Sequence, residues 1–451
     1  MTNQPATPPP ALVRTRLSVM MLMQYAIWGA WLPILYPFLL GHRGFELDQV
    51  GAILAGGAAG AIAGPFVAGQ IADRFYATEK FLAVSHIAGA VLVWFLADTD
   101  SFVPFLILSV VYGIVYAPTL ALTNSISFHH LPNRDRDFGK VRVWGTVGWI
   151  LAGIAVGQWL LEMHTPISDD LAAVADAQNA GRADAFKLSA ILGVVMGLYC
   201  FTLPSTPPAK GADSASLKAL GEAKRQPLLT LFLIAVPISI IHQFYFVHAA
   251  GFLTEVQNRA NNDSISSAIN SVFGVGGGGL MTIGQMVEIA VIACMPLIAT
   301  RVGRKWLLAA GIAAYALRMA IFAYLPDGDA ALPLAITGVA LHGFCFGCFI
   351  FVAFMVVDEQ TTPDVRASAQ NLFNLVIVGI GIIVGSMFAT KIAEMNLYID
   401  TDGIERMDYT GLFAVPMWMS VACLVALLVL YPARARIIEP ASERPPSGAE
   451  T

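Results

Sequence analysis

Charge is scarce in this chain. Asp, Glu, Lys and Arg make up 13% of the 451 residues, where a soluble globular domain carries roughly a quarter. With 57% apolar residues and a mean hydropathy of +0.67, that shortage excludes an ordinary water-soluble protein. The net charge of −5 is too small to specify a charged partner, so no nucleic acid is expected. Cysteine is scarce too. Cys200, Cys294, Cys345, Cys348 and Cys423 all fall in apolar stretches, which excludes a disulfide framework. Cys345 and Cys348 form a C-x-x-C, yet no second pair stands near to make a metal site. No Ser/His/Asp, metal-ligand or phosphate-loop constellation is present, and Gly379, Gly381 and Gly385 follow no strand that would make them a dinucleotide loop. No enzyme activity, cofactor or metal is expected. The first sixteen residues are Pro-rich and polar, too short and too weakly basic for a signal peptide.

What the chain has is apolar runs of about 20 residues, the length that crosses a hydrocarbon core of roughly 30 Å. Twelve are read, at 17–40, 48–72, 81–98, 102–124, 140–161, 186–204, 228–253, 275–299, 304–325, 332–357, 366–391 and 410–433. The expected fold is therefore an all-α integral membrane protein of twelve transmembrane helices in two six-helix bundles. Residues 1–16 and 434–451 read as disordered tails, 17–204 as the N-terminal bundle, 205–227 as a polar, basic linker and 228–433 as the C-terminal bundle. With the N-terminus inside, cytoplasmic segments hold 18 of the 26 Lys and Arg and outer segments 6. Both termini are therefore expected in the cytoplasm. Gly69, Asp73 and Arg74 form a G-x-x-x-D-R turn between the second and third runs, and Arg301 to Lys305 is a shorter counterpart between the eighth and ninth.

Polar groups inside the runs mark a site, because a charge at mid-bilayer costs roughly 2.5–3.5 kcal/mol on insertion scales. Gln285 and Glu288 stand three apart in the run from Leu280 to Ala299 and so share a helix face. Gln24, Trp28 and Trp31 follow i, i+4, i+7, and so do Arg142, Thr146 and Trp149. His242, Gln243, Tyr245 and Phe246 cluster at mid-depth in the seventh run, and His342 and Phe346 lie one turn apart in the tenth. Packing between helices is the alternative for each: a membrane anchor for Arg142, a satisfied core imidazole for His242, and a buried structural pair for Arg318. Taken together, amides, an acid, a guanidinium and aromatic faces suit a neutral planar ligand with hydroxyls. That chemistry leaves nucleoside and sugar both open.

Several segments carry a closer likeness. Gln24-Tyr25-Ala26-Ile27-Trp28-Gly29-Ala30-Trp31, Pro118 to Ser127, Arg142-Val143-Trp144-Gly145-Thr146-Val147-Gly148, Gln285-Met286-Val287-Glu288 and Arg366-Ala367-Ser368-Ala369-Gln370 occur in order along the runs. With the Asp-Arg turn, they resemble the bacterial nucleoside:proton symporters of the major facilitator superfamily. The resemblance implies two halves that rock about a midplane site, in the bacterial cytoplasmic (inner) membrane. It implies a nucleoside substrate such as uridine or adenosine, a proton as candidate co-substrate, and a monomer in the lipid bilayer. It assigns substrate binding to Arg142, Thr146, Trp149, Gln243, Phe246, Gln285, Glu288 and Phe346, with Gln285 and Glu288 on the ribose. The aromatic stripe adds Gln24 and Trp28. Two positions depart from the family pattern: Phe246 replaces an asparagine, and Gly347 replaces an aspartate tied to proton coupling. Coupling then falls to Glu288 or to His342 (or His242), or the protein is an uncoupled facilitator. A sugar transporter, and more remotely a non-transporting nucleoside sensor, are the other readings.

Overall fold

The computed structural model describes residues 11–75, 77–168, 170–206, 221–260, 264–362, 365–401, 403 and 405–432, leaving out the side chains of 61, 63–75, 134–136 and 367. The Gly69, Asp73 and Arg74 side chains, the 434–451 tail and most of the linker thus lie outside the described residues.

The first half begins with α1 (Ala11–Trp31), which passes through a tight turn at Leu32–Ile34 into α2 (Leu35–Gly41). Pro33, which has no N–H to donate, sits in that turn. There follow α3 (Leu47–Phe75), α4 (Thr78–Asp98), α5 (Phe102–His130), α6 (Arg134–His164), α7 (Leu171–Gly181) and α8 (Ala183–Cys200). The second half contains α9 (Leu228–Arg259), α10 (Ser264–Phe273), α11 (Gly278–Ile298), α12 (Arg304–Ala323), α13 (Ala331–Phe344) and α14 (Val352–Glu359). It ends with α15 (Arg366–Asn374), α16 (Gly381–Met395) and α17 (Tyr409–Leu430). π-helical segments at Cys345–Phe351 and Leu375–Ile380 join α13 to α14 and α15 to α16. Among the described residues, 11 helical stretches are long and apolar enough to cross a membrane. In hydrocarbon every backbone N–H and C=O must be satisfied within the chain, which is why apolar runs of this length become helices.

The same neighbour pattern occurs twice. α1 packs on α6, α3 on α5 and α4 on α8; α9 packs on α16, α11 on α13 and α12 on α17. In the order of the expected runs these pairs are 1 with 5, 2 with 4 and 3 with 6, then 7 with 11, 8 with 10 and 9 with 12. Adding six to each number converts the first set into the second. The contacts that bridge the sets, α3 with α16 and α6 with α11, exchange under the same operation. Small residues permit the closest approaches: a Cβ on Gly60 of α3 would lie 2.1 Å from the Gly113 carbonyl carbon of α5.

At one end of the bundle the two sets are tied by hydrogen bonds. The Val275 N–H donates to the Gly157 carbonyl at 3.1 Å, Gln158 Nε2 to the Ser271 carbonyl at 3.0 Å, and Arg182 Nη2 to Thr254 Oγ1 at 3.1 Å. Gln257 braces the loop beneath, donating to Asn270 Oδ1 (2.7 Å) and the Gly274 carbonyl (2.9 Å) and accepting from the Gly277 N–H (3.0 Å). At another helix end, Arg304 at the start of α12 forms a two-pronged ion pair with Glu359 at the end of α14, with Nη2 2.6 Å and Nε 3.1 Å from the carboxylate.

Local features differ from expectation at several places, among them these three. Residues 11–16, expected as part of a disordered tail, are the first turns of α1. The prolines at 8–10 give way at Ala11 to a helix in which the Thr15 hydroxyl donates to the Ala11 carbonyl at 3.0 Å. α7, expected as loop, is helical because the Asp170 carboxylate caps it, accepting from the Ala172 and Ala173 N–H groups at 2.9 and 3.3 Å. A two-stranded hairpin, β1 (Leu397–Ile399) with β2 (Glu405–Met407), connects α16 to α17; Leu397 faces Met407 and Ile399 faces Glu405.

Candidate substrate site between the two halves

α6 carries Arg142, Thr146 and Trp149 down one face, all partly buried. Trp149 meets Phe246 of α9 edge-on, with ring centroids 6.5 Å apart and planes at 80°, so an aromatic contact spans the two halves. One turn toward the start of α9, the His242 ring lies 5.2 Å from Phe246, 6.3 Å from Phe346 and 5.4 Å from His342, stacked on the last. Phe246 also stands perpendicular to His342 at 5.6 Å. Helical spacing in α6, α9 and α13 thus brings rings distant in sequence to one place.

Glu288 reaches this cluster from α11, and Gln285 lies one turn before it on the same helix. Gln285 is 6% exposed, and its Oε1 is buried without a hydrogen-bond partner. A buried acceptor without a donor costs about 1–3 kcal/mol, so a ligand hydroxyl would find an acceptor waiting there. Glu288 Oε2 lies 3.8 Å from His342 Nε2, and the Arg142 charge acts on the carboxylate from the other half. The Arg142 guanidinium itself lies over the Tyr25 ring, 4.1 Å from its centroid. Gln243 is partly spoken for, since its Nε2 donates to Ser386 Oγ at 2.9 Å.

The first-run stripe separates. Trp28 packs 5.4 Å from the Tyr116 ring. Gln24 is fully buried in a cluster within the first half: its Nε2 donates to Thr119 Oγ1 at 2.8 Å, its Oε1 lies 2.9 Å from His86 Nε2, and Tyr116 donates to its carbonyl. Both ends of that amide are engaged. The structure therefore joins Gln24 to the α1, α4 and α5 framework rather than to the Gln285 and Glu288 cluster.

Arg318 on α12 has gained a partner that sequence spacing does not show. Its side chain is fully buried, and Nη1 lies 3.1 Å from His342 Nδ1, while Nε and Nη2 have no hydrogen-bond partner. Its guanidinium also lies 4.1 Å from the Tyr245 ring centroid and 5.1 Å from that of Tyr315. Tyr315 and His242 Nδ1 are 2.6 Å apart. The available signal was that Arg318 and His342 are mid-depth polar groups on consecutive runs, which in a bilayer tend to find each other.

Gly347 lies in the π-helical segment. A Cβ there would come within 2.6 Å of Val291 Cγ1 on α11. The space that a side chain at 347 would need is filled by Val291 of the facing helix.

The sequence profile described as "Nucleoside H+ symporter" matches residues 12–436. The chain is 30% identical over 423 residues to the protein named "Putative nucleoside transporter YegT" of Escherichia coli (strain K12), covering 92% of each. It is 27% identical over 405 residues to the xanthosine permease of the same organism, covering 87% of this chain and 90% of that one. Its fold matches the crystal structure of the nucleoside transporter NupG (D323A mutant) with a TM-score of 0.78 at 23% identity, over 93% of this chain and 100% of the other. The fold is of the major facilitator type, as expected, and its function is transport rather than enzymatic turnover. A profile match across nearly the whole chain and a buried polar cluster between two repeated helix sets lead to one conclusion: the protein belongs to the nucleoside H+ symporter family.

Proposed function

We propose that this protein carries nucleosides together with protons across the bacterial inner membrane as a monomer, by alternating access to the cluster around Gln285 and Glu288. In this reading twelve helices span the membrane, α3 completing the 11 stretches already counted. They divide into bundles at 17–204 and 228–433, joined by the 205–227 linker, with both termini cytoplasmic. The end tied by Gly157, Gln158 and Arg182 is then the periplasmic end, and the conformation is closed to the periplasm. The Gly69, Asp73 and Arg74 turn sits on the cytoplasmic side as a conformational element.

The base lies among Trp149, Phe246 and Phe346, with Trp28 behind; the ribose hydroxyls meet Gln285 and Glu288, and Arg142, Thr146 and Gln243 complete the polar rim. One observation carries this reading: the buried, unpartnered Gln285 Oε1 belongs to the helical turn before Glu288, whose carboxylate faces His342, and His342 packs on Phe246 at the aromatic contact between the halves.

Glu288 is both ribose ligand and proton carrier. The test is uridine uptake by proteoliposomes with an imposed proton gradient, with and without a protonophore. Uptake above equilibration that the protonophore abolishes is expected. Uptake that never exceeds equilibration makes the protein a facilitator, and a Glu288→Gln variant that still concentrates uridine removes Glu288 as the coupling group.

A further inference from the structure

Arg318 is a fully buried cation whose described contacts include no carboxylate. A guanidinium has five N–H donors and no acceptor, so at its 3.1 Å contact His342 Nδ1 must accept. That leaves the ring proton on Nε2, the nitrogen that faces Glu288 Oε2 at 3.8 Å. His342 is 1% exposed and packed by two stacked rings, Tyr245 at 5.0 Å and His242 at 5.4 Å. Its ring is therefore fixed in place and in tautomer. The distance of 3.8 Å is longer than a hydrogen bond, and such contacts in unliganded sites tighten when the working complex forms.

We propose that Arg318 and His342 are positioning residues for Glu288: Arg318 sets the tautomer of His342, and the Nε2 proton of His342 holds the carboxylate whenever Glu288 has released its proton. This rests on Glu288 being the coupling group. When a proton from solvent bonds to the carboxylate, the charge that His342 held is gone; when it leaves to the other side, the charge returns to the same donor. The remaining charged or titratable groups toward Glu288 are Arg142 from α6, Tyr315 beside Arg318 on α12, and His242 from α9. None of these has the place of His342 between a buried cation and the acid. The pair thus supplies, from α12 and α13, a polar partner for the acid that does not need an aspartate at 347.

The test compares purified wild type with His342→Phe, His342→Gln and Arg318→Gln in proteoliposomes. Two readouts are taken for each: uridine counterflow at equal pH, which needs binding and alternating access only, and uridine-driven proton uptake with concentrative accumulation. Expected is counterflow within about threefold of wild type in all variants, with accumulation and proton uptake lowered about tenfold in His342→Phe and Arg318→Gln; a tenfold change corresponds to about 1.4 kcal/mol. His342→Gln, whose amide can accept from Arg318 and donate to Glu288, should recover part of the accumulation. Wild-type coupling in His342→Phe overturns the proposal. So does loss of counterflow in His342→Phe and His342→Gln alike with elution profiles unchanged, which would make His342 a substrate ligand. A wild type that performs counterflow but never accumulates uridine instead removes the proton-coupling reading beneath it.

Discussion

Gln285 is the residue whose energetics change most on binding. Its Oε1 gains nothing in the unliganded protein, because it is buried without a donor, so a hydroxyl that donates to it adds stability without breaking another bond. Gln285→Leu removes the acceptor at nearly constant volume. Uridine affinity should fall about tenfold, near the worth of one hydrogen bond in a dry site, while the melting temperature of the unliganded protein holds or rises. Calorimetry and thermal unfolding measure the two; unchanged affinity with a lower melting temperature would make Gln285 a packing residue. Gly347→Asp is the complementary case. Its Cβ meets Val291, so the substitution overpacks the α11 contact at a cost of roughly 1–3 kcal/mol. It should lower the melting temperature without raising accumulation, and a variant with wild-type stability and stronger accumulation would show that the valine gives way. At this scale the sequence was readable where helical spacing governs: Gln285 with Glu288, and Arg142 with Trp149. Depth alone led to the expectation of a buried pair for Arg318, but not to its partner His342, 24 residues away on a different helix, nor to the partners of Gln24, Thr119 and His86, which come from other helices.

The elements show where motion must be accommodated. α6 ends against the loop before α11 through backbone: a Cβ on Gly157 would sit 2.4 Å from the Phe273 carbonyl oxygen, and the Val275 N–H donates to the Gly157 carbonyl at 3.1 Å. Such contacts have no flexible side chain to yield, so any side chain there pushes the halves apart. Gly157→Val should disfavour the closed end by roughly 1–3 kcal/mol, the usual cost of overpacking. The readout is labelling of a cysteine placed at Gln257, which is 1% exposed, by a membrane-impermeant maleimide. Labelling faster than in the Gly157 parent, above the background of the native thiols, is expected together with slower counterflow; equal labelling rates would mean this contact is not the gate. Run length and composition located the long helices because hydrocarbon leaves the backbone no alternative. The elements missed, α7, α10, the hairpin and the π-helical segments, are set by a cap, by pairing across a loop and by packing. Of these only the cap leaves a local trace in sequence, as Asp170 before an alanine-rich stretch.

For the whole molecule, adding six to a helix number leaves its direction across the bilayer unchanged, so the repeated pairing relates the two halves side by side and leaves the two membrane faces distinct. In the proposed orientation, with the termini inside, 18 Lys and Arg fall on the cytoplasmic side against 6 on the other, the bias that the positive-inside rule associates with the cytoplasmic face. Orientation also fixes the direction of coupling, because the tied end at Gly157 and Val275 faces the periplasm only if the termini are inside. The expected outcome is that green fluorescent protein fused after residue 432 fluoresces, while alkaline phosphatase inserted at Gly328, in the turn between α12 and α13, is active. The first reporter matures in the cytoplasm and the second folds only in the periplasm. The opposite pattern would invert the molecule and place the closed end toward the cytoplasm. If the charge bias is the cause, removing Arg301, Arg304 and Lys305 should lower phosphatase activity at Gly328 in part only, because the other cytoplasmic loops still hold the remaining helices. Complete loss would mean that this one cluster orients the whole second half.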